Sequence, residues 1–159
     1  MKINDSGSKL TLKNISEFEE QFNIKLPYDY REFMMENNGG TPEGNWGFKF
    51  VETNTSKETE SIINYFEVIY PEQTTEIDDL KEGYIDLLES NQISNELIPI
   101  ADDPFGNILL LGVKGDYYGK VVFGNHELED PETGHIILSF VAESFSKFID
   151  NCYEVNLED

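Results

Sequence analysis

A chain of 159 residues, 38% hydrophobic and 13% aromatic, can bury the core of one ordinary domain, so disorder is not its default state despite its charge. Eleven basic residues against 32 acidic ones give a formal net charge of −21; this argues against nucleic acid or an anionic membrane as partner, since both need a basic footprint, and favours a basic protein. The longest apolar run, Ile108 to Val113, falls far short of a membrane span, and the opening stretch MKINDSGSKLTLKN lacks the apolar segment of a secretory signal.

Residues 1–13 read as an N-terminal extension. Ile15, Phe18 and Phe22 then recur on one helical face, with Asn14 and Glu17, or Ser16 and Glu19, spaced as a capping box. A second helix opens at Pro27, whose missing N–H is harmless in a first turn. Tyr30, Phe33 and Met34 form its apolar face, and Asn38-Gly39-Gly40 supplies a left-handed stop. Residues 14–40 are therefore expected to form a helical hairpin linked around Asn23–Leu26.

Beyond Gly40 the texture changes. Thr41–Asn45 is rich in turn residues, Trp46–Glu52 alternates as a half-buried strand does, and Thr53–Thr59 is a polar connection. Ser61–Tyr70 carries two signals: Ile62, Ile63, Phe66 and Ile69 suit a helix, while its aromatic and β-branched content suits a strand. We read a strand to about Phe66 and a turn at Pro71. Ile77, Leu80, Tyr84, Leu87 and Leu88 repeat at helical spacing across an acidic face, at some cost from Gly83.

From Leu97 onward strands dominate. Ile98–Ala101, Asn107–Val113 and Lys120–Phe123 are joined by tight turns, and Ile136–Phe140 is a fourth. A final helix turns Ala142, Phe145, Phe148, Ile149 and Cys152 inward. Helices, then a strand meander, then a helix make an α+β protein, with no repeat or linker to divide residues 1–159.

Catalytic motifs fail one by one. Gly115–Lys120 is one residue short of a phosphate-binding loop, lacks the following Ser or Thr and lies between strands. His126-Glu127 begins like a zinc-protease motif, but position 130 is Asp, and His135 lies beyond the Pro131 turn. Cys152, the lone cysteine, excludes an intrachain disulfide, fits a reducing cytoplasm and has the spacing of a buried structural thiol. No serine sits in a strand–turn–helix elbow. Asp102 and Asp103 have the chemistry of a cation site, yet adjacent strand residues point to opposite sides. Their simpler role is structural, one Asp capping the turn that Pro104 and Gly106 shape.

Four segments together resemble the SUKH superfamily, in particular its Smi/Knr-type members. They are Ile15-x-x-Phe18-Glu19-x-x-Phe22, LPYDYREFMMENNGG from Leu26 to Gly40, IPIADDPFGNILLL from Ile98, and VAESFSKFI near the end. One departure is Gly124 in VVFGNHE, where the family often carries an aromatic residue. The resemblance implies an α+β domain whose twisted, mainly antiparallel sheet is packed by N-terminal, middle and C-terminal helices. It also implies a cytoplasmic, non-enzymatic immunity protein, without cofactor or metal, that binds and neutralises a bacterial toxin domain, often a nuclease. The alternative it offers is a regulatory or scaffold interaction module with no toxin partner.

Such a toxin would be basic, because a nuclease must hold phosphate, and an acidic inhibitor would be steered onto it. Residues 52–103 hold 14 acidic residues against two basic ones, Lys57 and Lys81, and concentrate that field. The expected partner-binding residues are Asp78, Asp79, Glu82 and Asp86 on the acidic helix, Asp102, Asp103 and Asn107 in the loop, and Trp46 as an aromatic anchor.

Overall fold

In the computed structural model, which describes residues 1–157, the chain is engaged well before its first helix. After β1 (Ile3–Asn4), Ser6 Oγ donates to Gly39 O at 2.7 Å, Gly7 N donates to Asn38 O at 2.8 Å, and Leu10 is buried. The segment expected to be an extension is thus part of the fold. Helix α1 (Leu12–Phe22) starts at Thr11, not at Asn14 or Ser16. Thr11 Oγ1 accepts from Asn14 N, and Asn14 Oδ1 accepts from Thr11 N, so a short amide does the work usually given to Glu or Gln. The apolar spacing located the buried face but not the turn that precedes it.

Asn23, at φ 52°, ends α1, and Glu19 Oε2 accepts from Leu26 N at 2.7 Å to hold the link. Helix α2 (Tyr28–Glu36) starts one residue after the expected Pro27, which is its N-cap with ψ 143°. Gly39 and Gly40 then take positive φ, and Gly39 has no alternative: a Cβ there would lie 2.3 Å from Glu67 O. β2 (Thr41–Pro42) pairs back onto β1.

The main sheet contains β3 (Trp46–Val51), β4 (Glu58–Ile62), β5 (Tyr65–Phe66), β6 (Leu97–Asp102), β7 (Ile108–Gly112), β8 (Val121–Glu129), β9 (Ile136–Ala142) and β10 (Tyr153–Glu154). Its ladders are antiparallel in the order β10–β3–β9–β8–β7–β6–β5, with β4 on the other side of β3. Residues 58–66 therefore bridge the two ends of the β3-to-β6 run, pairing with β3 through β4 and with β6 through β5. The sheet curls back on itself, helped by register breaks in β6 between Pro99 and Ala101 and twice in β8.

The ambiguous Ser61–Tyr70 stretch is thus the tail of β4, then β5, then a buried connection, and not a helix. Helix α3 (Leu80–Glu89) starts later than its apolar pattern suggests. Ile77 is 88% exposed, because it lies in a turn ahead of the extended Asp79, which bridges to Val68 before the helix begins: Val68 N donates to Asp78 O and Leu80 N to Val68 O. Ala142 closes β9 and stays outside α4 (Phe145–Asn151).

The buried apolar residues form one cluster from Leu10 to Phe148. Aromatic contacts tie its layers together: Phe22 of α1 meets Tyr84 of α3, Tyr30 and Phe33 of α2 meet Phe145 of α4, and Phe50 stacks on Phe123 with centroids 4.1 Å apart. Each such ring contributes about 1.5–3 kcal/mol of burial, and the edge-on contacts add geometry to it. Among the described residues no helix is long and apolar enough to cross a membrane.

Candidate partner-binding surface

The turn between β6 and β7 is organised by Asp103. Its Oδ1 accepts from Phe105 N at 2.9 Å and Asn107 N at 2.8 Å; its Oδ2 accepts from Ser61 Oγ at 2.8 Å and Asn107 Nδ2 at 3.1 Å. With all four contacts made and only 4% of its surface exposed, Asp103 is a turn-former, as its surroundings of Pro104 and Gly106 suggested. Asn107 passes the order on. Its Nδ2 is committed to Asp103, so its Oδ1 accepts, from His126 N at 3.2 Å and from His126 Nδ1 at 2.7 Å. The loop thereby fixes an exposed imidazole on β8.

Asp102 differs from its neighbour, as strand alternation requires. It pairs with Tyr65 across β5 and with Ile108 across β7, and its Oδ1 is buried without a hydrogen-bond partner. Burial raises its carboxyl to about 6; the polar groups of Tyr65 and Asn64 restrain the rise, and the charge of Asp103 adds to it.

The acidic helix is not one uniform face. Asp79 is its N-cap, accepting from Lys81 N at 3.0 Å and Glu82 N at 3.4 Å, and is 5% exposed. It stabilises α3, its carboxylate taken up by the first N–H groups of the helix. Asp78 lies before the helix and accepts from Tyr70 OH at 2.7 Å. Glu82 and Asp86 are exposed, and Glu89 continues their row at i, i+4 and i+7.

Trp46 is half-buried at the start of β3 and donates its indole N–H to Glu43 O at 2.9 Å. The structure brings it towards Asp102. Ile63 N donates to Trp46 O and Asn64 N to Asp102 O, so both backbones flank residues 63–64, about two strand spacings apart.

Glu67 went unnoticed in the sequence. It is 9% exposed, and burial, followed by the charges of Asp102, Asp78 and Asp79, raises its carboxyl to about 8. Its signal was a single acid inside the run Phe66–Ile69, otherwise apolar and bounded by aromatic residues. Tyr65, Glu67, Asp78 and Asp102 thus form an acidic patch between β5, β6 and the start of α3. Among the described residues no three His, Cys, Asp or Glu side chains converge as metal ligands do. Cys152 donates to Phe148 O, and burial pushes its thiol up to about 12, away from the reactive thiolate.

The model of the SMI1/KNR4 family (SUKH-1) matches residues 9–151, nearly the whole described chain. The chain belongs to the SMI1/KNR4 family. That family includes immunity proteins and Knr4-like regulators. Its match begins just after the residues that stitch β1 to the Gly39–Gly40 corner and ends with α4, so it spans every helix described above. No curated protein sequence matches this chain.

Proposed function

We propose that this SMI1/KNR4-family chain is an immunity protein that binds and neutralises a basic toxin domain, of the nuclease type, without catalysing a reaction. The observation that carries the reading is an acidic surface without compensation. The four ion pairs among the described residues are Lys2–Glu43, Lys13–Glu17, Arg31–Glu32 and Lys49–Glu58. None involves a carboxylate between Glu67 and Asp103, so the exposed acids of α3 are left without an ion-pair partner and their field projects outward. Glu82, Asp86 and Glu89 are its exposed charges, with the half-buried Asp78 and Asp102 at one flank and Trp46 as an aromatic anchor beside them.

The test is capture of toxin domains encoded beside the gene, together with protection on co-expression. Binding is expected to weaken steeply with salt. Reversing Glu82 and Asp86 to lysine slows association about tenfold at low salt and leaves folding intact, because both side chains are exposed. No capture and no protection refute the reading and favour a regulator within the same family.

A further inference from the structure

We propose that the cleft between the α3–β6 link and the β8–β9 turn seats one lysine side chain of the protein partner. The inference rests on the reading of the partner as a basic protein and names where one of its cations is held. The cleft measures about 290 Å³. That is the bottom of the range for drug-sized ligands, roughly 300–1,000 Å³, so one long side chain suits it better than a cofactor. Buried Ile93, Leu97 and Ile136 give it an apolar floor. Its walls are tied together before any ligand arrives: Asn91 Nδ2 donates to Thr133 O at 3.0 Å, and Ile136 N donates to Gln92 O at 2.8 Å.

The polar groups around that floor are acceptors with nothing to accept. Asp130 Oδ1 takes Glu132 N at 2.8 Å and Thr133 N at 3.4 Å, while its Oδ2 takes no hydrogen bond among the described residues. Gln92 Nε2 is committed to Ser90 Oγ at 2.8 Å, which leaves the Gln92 Oε1 unused. The Tyr117 hydroxyl and the half-buried His135 ring also make no hydrogen bond to the described residues. No lysine or arginine lines the cleft. Gln92 N bonds to Leu87 O in the last turn of α3, so the negative end of that helix dipole lies alongside. The occupant that fits is a cation with several N–H donors on an apolar stem.

The hydrogen bonds of Asp130 decide which cation. A guanidinium pairs best with both oxygens of one carboxylate. Asp130 offers only Oδ2, because Oδ1 already holds its own turn. An ammonium is a point charge with three rotatable donors, so it takes single acceptors from separate segments. Here these are the α3–β6 link, the 3₁₀ turn Gly115–Tyr117 and the β8–β9 turn. The aliphatic stem of lysine covers the apolar floor while its head stays at the rim. A divalent ion needs more converging ligands than the described residues bring together.

The test titrates N-acetyl-lysine amide into the full chain labelled with ¹⁵N and ¹³C, with a dissociation constant of about 1 mM expected. Signals of Gln92, Ser94, Asp130 and His135 should move, and His126, which Asn107 holds outside the cleft, serves as the unmoved imidazole. Asp130→Asn keeps the acceptor its turn needs and should weaken binding at least about fivefold. Glu132→Gln removes an exposed charge that does not line the cleft and should change affinity less than about twofold. N-acetyl-arginine amide should bind at least about threefold more weakly, and N-acetyl-norleucine amide, a stem without the charge, should not bind. Amide spectra of both variants verify their fold. Shifts spread over Glu82, Asp86 and Glu89, binding unchanged in Asp130→Asn, or equal losses in the two variants each overturn the proposal. Affinity for the arginine probe equal to that for lysine overturns the assignment of an ammonium. No toxin enters this experiment, so its failure leaves the immunity reading standing. A bound probe with no captured toxin removes the immunity reading alone.

Discussion

Replacing Glu67 by glutamine keeps the side chain's shape and deletes its titration. The carboxyl has a reference value of 4.5 and is raised to about 8 in the fold by burial and neighbouring acids. Between those values the folded state holds a proton that the unfolded chain has released, so stability is fullest below the lower value and declines as pH rises through the higher one. At pH ~7 the span covered is about 2.5 units, which at 1.36 kcal/mol per unit removes about 3 kcal/mol from the wild type. Glu67→Gln escapes that loss. Urea melts of both proteins between pH ~5 and pH ~8 should show the variant gaining on the wild type by about 3 kcal/mol at neutrality, or about 6–12 °C in Tm for a chain of this size. The general repulsion among acidic residues grows with pH in both proteins and cancels in the difference. A difference that stays within about 0.5 kcal/mol across the range refutes the burial argument.

Asn38→Ala should lose about 2–4 kcal/mol by denaturant unfolding. The wild-type amide, 2% exposed, donates to Ser8 O and Ile69 O and accepts from Ile69 N. Asp103→Ala removes the acceptor of four hydrogen bonds and should cost about 2–3 kcal/mol while broadening the amide signals of residues 103–107; a cost under about 0.5 kcal/mol would show that the turn holds its shape alone. Gly112→Ala would put a Cβ 1.8 Å from the backbone oxygen of Tyr117, so a loss of at least about 2 kcal/mol is expected, and a silent variant would contradict that approach. Cys152 should react with a thiol reagent at least about a hundredfold slower than glutathione in the native protein, and at ordinary speed in urea.

Much of the architecture was legible because periodicity and punctuation are local. Ile15, Phe18 and Phe22 marked α1, Pro27 marked the start of α2, and the apolar runs around Asp102–Asn107 marked the β6–β7 hairpin. What escaped was set by contacts distant in sequence. The pairing of Ile3 with Pro42 cannot be read from MKINDSGS, and the bridge that residues 58–66 make between β3 and β6 follows only once the sheet has curled. The site divided in the same way. Asp103 was recognisable as a turn-former from Pro104 and Gly106 beside it, whereas the burial of Glu67 depends on Asp102, Asp78 and the connection to α3. Asp79 was read with the acidic face of the helix, and its capping role showed only in the backbone geometry ahead of Leu80.

The first and last strands of the described chain both fasten to one short stretch. β1 holds Thr41–Pro42 and β10 holds Trp46–Gly47, each by a ladder of two residues. Mechanical load applied at either terminus therefore meets a small clasp before it meets the core, and the two clasps sit only a few residues apart on the same segment. A processive unfolding machine would open either clasp for a modest amount of work and arrive at once beside the Gly39–Gly40 corner or the root of β3. Resistance to such a machine would rest on the apolar interior beyond them, not on the strands it grips first.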